Sequence, residues 1–175
     1  MTHISTGVEY GLHCLLFLVN PAGAAPLASA RDLAELQGIP ADYTAKLFTK
    51  LQKAGLVVAT EGVKGGFRLA RAPEDISVLE VVEAIDGAKP LFDCHNVRSQ
   101  CALFADGPPL WATQGVCSIH AVMLDAEARI REVLSSHSLA SLVGRVADKA
   151  PEDYGAKATA WLAARAPVRS ERVRS

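Results

Sequence analysis

A mainly helical chain with one small β-hairpin is predicted, and three observations predict it. Apolar residues recur at helical spacing up to Ile85 and again after Ser118. A single pair of short apolar runs brackets the glycine-bearing loop Glu61-Gly62-Val63-Lys64-Gly65-Gly66. The order helix, turn, helix, hairpin between Ala30 and Ala70 is that of a winged helix-turn-helix, and a long helix suited to dimerisation comes later in the chain.

Each element has its own signal. Ile4, Val8, Leu12, Leu15, Leu16 and Val19 define an amphipathic first helix over about Ser5 to Leu18, ended by Asn20-Pro21-Ala22-Gly23. Ser29 is placed to cap a second helix through Ala30 to Leu36, and Gly38-Ile39-Pro40 turns the chain. A third helix from Asp42 to Ala54 gathers Leu47, Phe48 and Leu51 on one face. Thr44, Lys46, Thr49, Lys50 and Lys53 lie mostly away from it, and Gly55 stops it. Leu56 to Thr60 and Phe67 to Ala70 form the hairpin, and Ile76 to Ile85 a further helix ended by Asp86-Gly87. From Ser118, the stripe Ile119, Val122, Met123, Ala126, Ile130, Val133 and Leu134 runs for about five turns, as a dimerisation helix requires. A short helix from Leu139 to Val146 closes the set. The chain therefore divides into a winged head (1–87), a cysteine-containing loop (88–118), a dimerisation helix with its closing helix (119–148), and a tail (149–175). The tail is expected to be partly disordered apart from a turn of helix near Trp161.

Composition narrows the function classes. Half of the 175 residues are apolar and 21% are charged, which supplies a core and argues against global disorder. The net charge of −1 hides a segregation. From Ala41 to Arg71 six basic residues face only Asp42 and Glu61, whereas from Ala72 to Asp93 six acids face only Lys89. The first residues lack a basic stretch, and Glu9 and His13 interrupt their apolar run, so neither a signal peptide nor a membrane span is expected. A cytoplasmic protein follows, and in that reducing compartment clustered cysteines serve metal or redox chemistry more than disulfides. No P-loop, nucleophile elbow, HExxH or dinucleotide fingerprint occurs, so an enzyme is not expected.

The basic block points to double-stranded DNA as a partner. The third helix would enter the major groove by its N-terminal end, bringing Asp42, Tyr43, Thr44 and Lys46 to base edges or phosphates. Thr49, Lys50 and Lys53 lie further along it, the lysines suited to the phosphate backbone, and Lys64 at the hairpin tip reaches a minor groove or phosphate. Downstream, Cys94, Cys101, Cys117 and His120 crowd one short window. Thiolates and imidazole suit zinc or an iron–sulfur cluster, and the thiols alone could form an oxidation switch. The spacing does not decide among these.

The stretch from Leu27 to Gly87 resembles the family of winged-helix regulators that includes IscR, NsrR and RsrR. Gly38-Ile39, Tyr43, Leu47, Leu51-Gln52-Lys53-Ala54-Gly55-Leu56-Val57, Gly65-Gly66-Phe67 and Val81 to Gly87 carry the likeness. It implies a homodimeric DNA-binding transcription factor, here expected to repress from an inverted repeat, in which an iron–sulfur cluster exerts control. The acidic residue of the IscR recognition helix falls here at Ala45, so the operator need not be the same. Cys117-Ser-Ile-His120 copies the Cys-x2-His ending of IscR-type sites, but the interval from Cys101 to Cys117 is much longer here. The opening Gly7-Val8-Glu9-Tyr10-Gly11-Leu12-His13-Cys14 is similar to the start of the redox-sensing member RsrR. That likeness implies a [2Fe–2S] cluster held by Glu9 and His13 of one subunit and by Cys94 and Cys117 of the other. Cys101 and His120 then become secondary candidates. The alternative is a regulator of the same fold that senses by thiol oxidation or zinc binding, with no cluster.

Overall fold

Helix α1 (Thr6–Leu18) forms where the apolar spacing predicts it and buries Val8, Cys14, Leu15 and Leu18. Asp86 holds its first turn, accepting from the Ser5 amide at 2.8 Å and the Ser5 hydroxyl at 2.5 Å. The computed structural model describes residues 4–19, 27–60, 65–104 and 106–165. The predicted turn at Asn20-Pro21-Ala22-Gly23 and the hairpin tip with Lys64 lie outside the described residues.

Helix α2 (Ala30–Gln37) begins at Ser29, whose hydroxyl accepts from the Asp32 amide at 3.0 Å, and ends at Gly38 in the left-handed region. Helix α3 (Ala41–Lys53) follows the turn and buries Thr44, Leu47, Phe48 and Leu51. Strands β1 (Val57–Thr60) and β2 (Gly66–Leu69) pair antiparallel, Val57 opposite Leu69 and Thr60 opposite Gly66. Ala28 extends this wing, its backbone exchanging two hydrogen bonds with Phe67. The approach is so close that a Cβ on Gly66 would lie 2.9 Å from the Ala28 carbonyl, which is why the strand starts with glycine there. Helix α4 (Val78–Asp86) starts two residues later than the periodicity predicts. Ser77 and Glu80 form a capping box, while Ile76 stays extended, fully buried, and accepts from the Leu139 amide at 2.9 Å.

The cysteine loop contains a short 3-10 turn (Val97–Gln100) and the single-turn helix α5 (Leu110–Thr113). Helix α6 (Ser118–Ser135) has the predicted length, yet none of its residues is buried within the chain. Ile119, Val122 and Val133 are 63%, 66% and 57% exposed. Helix α7 (Leu139–Ala147) contributes the buried Leu139. The tail differs from expectation, because helix α8 (Tyr154–Arg165) is three turns long rather than one. The stretch between Pro151 and Pro167 is alanine-rich and proline-free, so helix propensity favours it. Leu162 enters the main core and Trp161 packs against it, Tyr154 meets Phe17, and Arg165 pairs with Glu35 of α2 at 2.7 Å.

Phe48 lies at the centre of the head, fully buried with its ring 4.8 Å from that of Phe67. Phe48→Ala is expected to cost about 3–5 kcal/mol in denaturant unfolding, since removal of so much core volume leaves a cavity. A loss below about 1 kcal/mol would show that the head relaxes around the gap.

Candidate nucleic-acid interface and metal-ligand residues

The reader is built by α2 and α3. Among the residues predicted to meet DNA, Asp42, Tyr43, Lys46, Thr49, Lys50 and Lys53 are exposed on α3. Thr44 is not. It is fully buried, with its hydroxyl donating to the Pro40 carbonyl at 3.0 Å, so it supports the helix start and offers nothing to a base. The reason is positional: Thr44, Leu47, Phe48 and Leu51 stand at i, i+3, i+4 and i+7, all on the inward stripe. Lys50 is also committed in part, its Nζ donating to the Ile85 carbonyl at 2.5 Å at the negative end of α4. Lys46 and Lys53 carry no such bond among the described residues.

Tyr43 connects the reader to α1. Its ring meets Tyr10 edge-on at 6.0 Å, and a Cβ on Gly7 would lie 2.7 Å from its hydroxyl. Tyr10 was not among the predicted site residues. Its place beside Glu9 in the chain is the only hint the sequence carries.

Glu9 and His13 are exposed one turn apart on α1 and line an open groove of about 750 Å³ between α1 and α7, with Leu12, Leu142 and Arg145. Cys94 and Cys117 are half-exposed free thiols in the loop and at the cap of α6. The amides of His120 and then Ile119 bond the Cys117 sulfur and, with a smaller contribution from the Arg98 charge, hold its thiol below the ordinary value despite some desolvation. Cys101 is exposed, and the ring of His120 packs against Phe92 at 5.9 Å. Cys14 is buried, and desolvation pushes its thiol up to about 12, so it is inert. Among the described residues no three His, Cys, Asp or Glu side chains gather closely enough to hold a metal ion. Among the described residues, one protomer thus presents two separate candidate pairs, Glu9 with His13 and Cys94 with Cys117, and no complete ligand set. The donor chemistry suits a [2Fe–2S] cluster: two thiols, one already biased toward thiolate, and a carboxylate–imidazole pair on an open helix face.

Comparisons with known proteins agree with the winged-helix fold. A family profile described as Rrf2, iron-dependent transcriptional regulator, matches residues 4–145. The HTH-type transcriptional regulator IscR of Vibrio atlanticus is 32% identical over 137 residues, covering 77% of this chain and 71% of the relative. Protein rrf2 of Nitratidesulfovibrio vulgaris is 30% identical over 140 residues, covering 80% and 86%. Among solved structures, T. potens IscR superposes with a TM-score of 0.60 at 26% identity over 82% of this chain and 88% of that one. CymR, the global cysteine regulator of B. subtilis, superposes with a TM-score of 0.64 at 21% identity over 83% and 98%, a likeness of fold alone. No helix among the described residues is long and apolar enough to cross a membrane.

Proposed function

The chain belongs to the Rrf2 family of transcriptional regulators, and from that premise we propose that it represses as a homodimer on an inverted repeat, under control of a [2Fe–2S] cluster shared between protomers. Glu9 and His13 of one protomer and Cys94 and Cys117 of the other would hold the cluster. The observation that carries this reading is the division of the ligands: an exposed pair and a half-exposed pair, neither complete, in a chain where the longest helix among the described residues leaves its apolar stripe uncovered. When bound, such a cluster exchanges one electron, and imidazole in place of thiolate raises its potential.

The chain's own residues supply the coupling. Glu9 and His13 stand on the open face of α1, while Tyr10, next in sequence to Glu9, rests on Tyr43 in the first turn of α3. A tilt of α1 is felt at the end of α3 that enters the groove. Two heads must match two half-sites one helical turn apart, so a small change in head spacing alters affinity.

Anoxic purification followed by iron and sulfide determination, a visible spectrum and an operator gel shift tests the reading. Iron and sulfide in equal amounts, with DNA retention that changes on oxidation or reduction, are expected. Colourless protein holding stoichiometric zinc overturns it. A second reading, thiol oxidation without a cluster, is favoured by the depressed Cys117 thiol, and it predicts retention that tracks free-thiol content with no iron present. On either reading, Lys46→Ala and Lys53→Ala should each lower the slope of log affinity against log salt by about 1, as loss of one phosphate contact does. An unchanged slope would place these lysines off the DNA.

A further inference from the structure

One side chain that belongs to neither ligand pair spans the two limbs of the loop between Cys94 and Cys117. We propose that Arg98 is the positioning residue of this loop, setting the separation of the two thiols and keeping a fixed positive charge beside them. Its Nη2 donates to the Gly115 carbonyl at 2.5 Å and to the Gln114 carbonyl at 3.3 Å, while its Nε donates to the Asn96 side chain at 3.2 Å. Asn96 is two residues past Cys94, and Gly115 two residues before Cys117. Both grips fall on sharp bends. Asn96 is the sole non-glycine at positive φ among the described residues (50°), and Gly115 has φ 65°. The Ser99 hydroxyl donates to the Asn96 carbonyl at 2.9 Å and fixes the same bend from the other side.

The chemistry requires arginine. A guanidinium presents several N–H groups in a rigid plane and can hold a side chain and two carbonyls at once, whereas an ammonium is a single flexible point charge. Arg98 is also the only Lys or Arg between Cys94 and Cys117, so the loop itself carries no second permanent cation. A cation beside the thiolates of a cluster favours the reduced, more negative state and raises the potential.

The charge half of this inference rests on the cluster reading, and the bracing half does not, so the test has two arms on the full-length protein. In the first, apo protein carrying Cys101→Ser is treated with phenylarsine oxide, which must bridge two adjacent thiols, and Cys14 is buried out of reach. Arg98→Ala is expected to slow capture by roughly tenfold or more, because misplacement of about 1 Å is costly for a reaction that needs both groups at once. In the second, the midpoint potential of the cluster-loaded protein is measured. Arg98→Ala should shift it negative, and Arg98→Lys should restore most of the potential but not the capture rate. Unchanged capture in Arg98→Ala, or full rescue of capture by Arg98→Lys, overturns the positioning role. An unmoved potential overturns the charge role. Absence of any cluster sinks the earlier reading while the capture arm still decides the brace.

Discussion

Cys117→Ala, purified without oxygen, is expected to contain iron and sulfide only at background, whereas Cys101→Ala retains both. Cys117 caps helix α6, where two amides and a nearby guanidinium stabilise its thiolate, the form a metal binds. Loss of a contact that merely supports a ligand already lowers metal affinity about 10–100-fold, and loss of a ligand itself should exceed that. Glu9→Ala and His13→Ala should alter the visible spectrum, since on the proposed ligation each would exchange a protein ligand for water or thiol. Equal iron content in the Cys101 and Cys117 variants would remove the distinction drawn between these two thiols.

Charging the stripe of α6 is expected to have an effect of similar size on a different measurement. Val122→Arg combined with Val133→Arg places two cations on positions that are already solvent-exposed within the chain, so the fold of each protomer should be retained. The apolar contact proposed between protomers is what they would destroy. A monomeric head reaches one half-site, and its affinity should fall toward the sequence-independent level, about a thousandfold or more below the specific complex. Sedimentation should report one chain per particle, and the gel shift should vanish at the concentration that saturates the unmodified protein. A dimer that persists with both arginines present would locate the contact elsewhere.

How far the sequence foretold this molecule depends on whether a signal was local. Helices α1 to α4 and the hairpin follow from spacing, caps and glycines, all readable within a few residues. Thr44 shows the limit of reading side chains by polarity. Its hydroxyl suggested a base contact, although its place on the Leu47, Phe48 and Leu51 stripe already assigned it inward. Helix α8 was missed in its extent although its alanine-rich, proline-free stretch is a local signal, and the residues it docks on, Phe17, Glu35 and the core, are far from it in sequence. The ligand types at Glu9, His13, Cys94 and Cys117 came through resemblance. Their division into two pairs came the same way, whereas the Arg98 hydrogen bonds needed coordinates, since a guanidinium reaching carbonyls sixteen and seventeen residues away leaves no periodic trace.

The return of α8 onto the head has a temporal consequence. Leu139 and Leu162 complete a core whose other members are supplied by residues up to Ile85. A ribosome adding roughly 5–20 residues per second needs about 4–15 s to go from the end of α4 to Leu162. Through that interval Phe17 lacks its Tyr154 neighbour and Glu35 lacks its Arg165 counter-ion. The reader is translated early but becomes fully stable only once α8 has been made. A nascent chain therefore has little means of occupying an operator before the residues that would regulate it have been made.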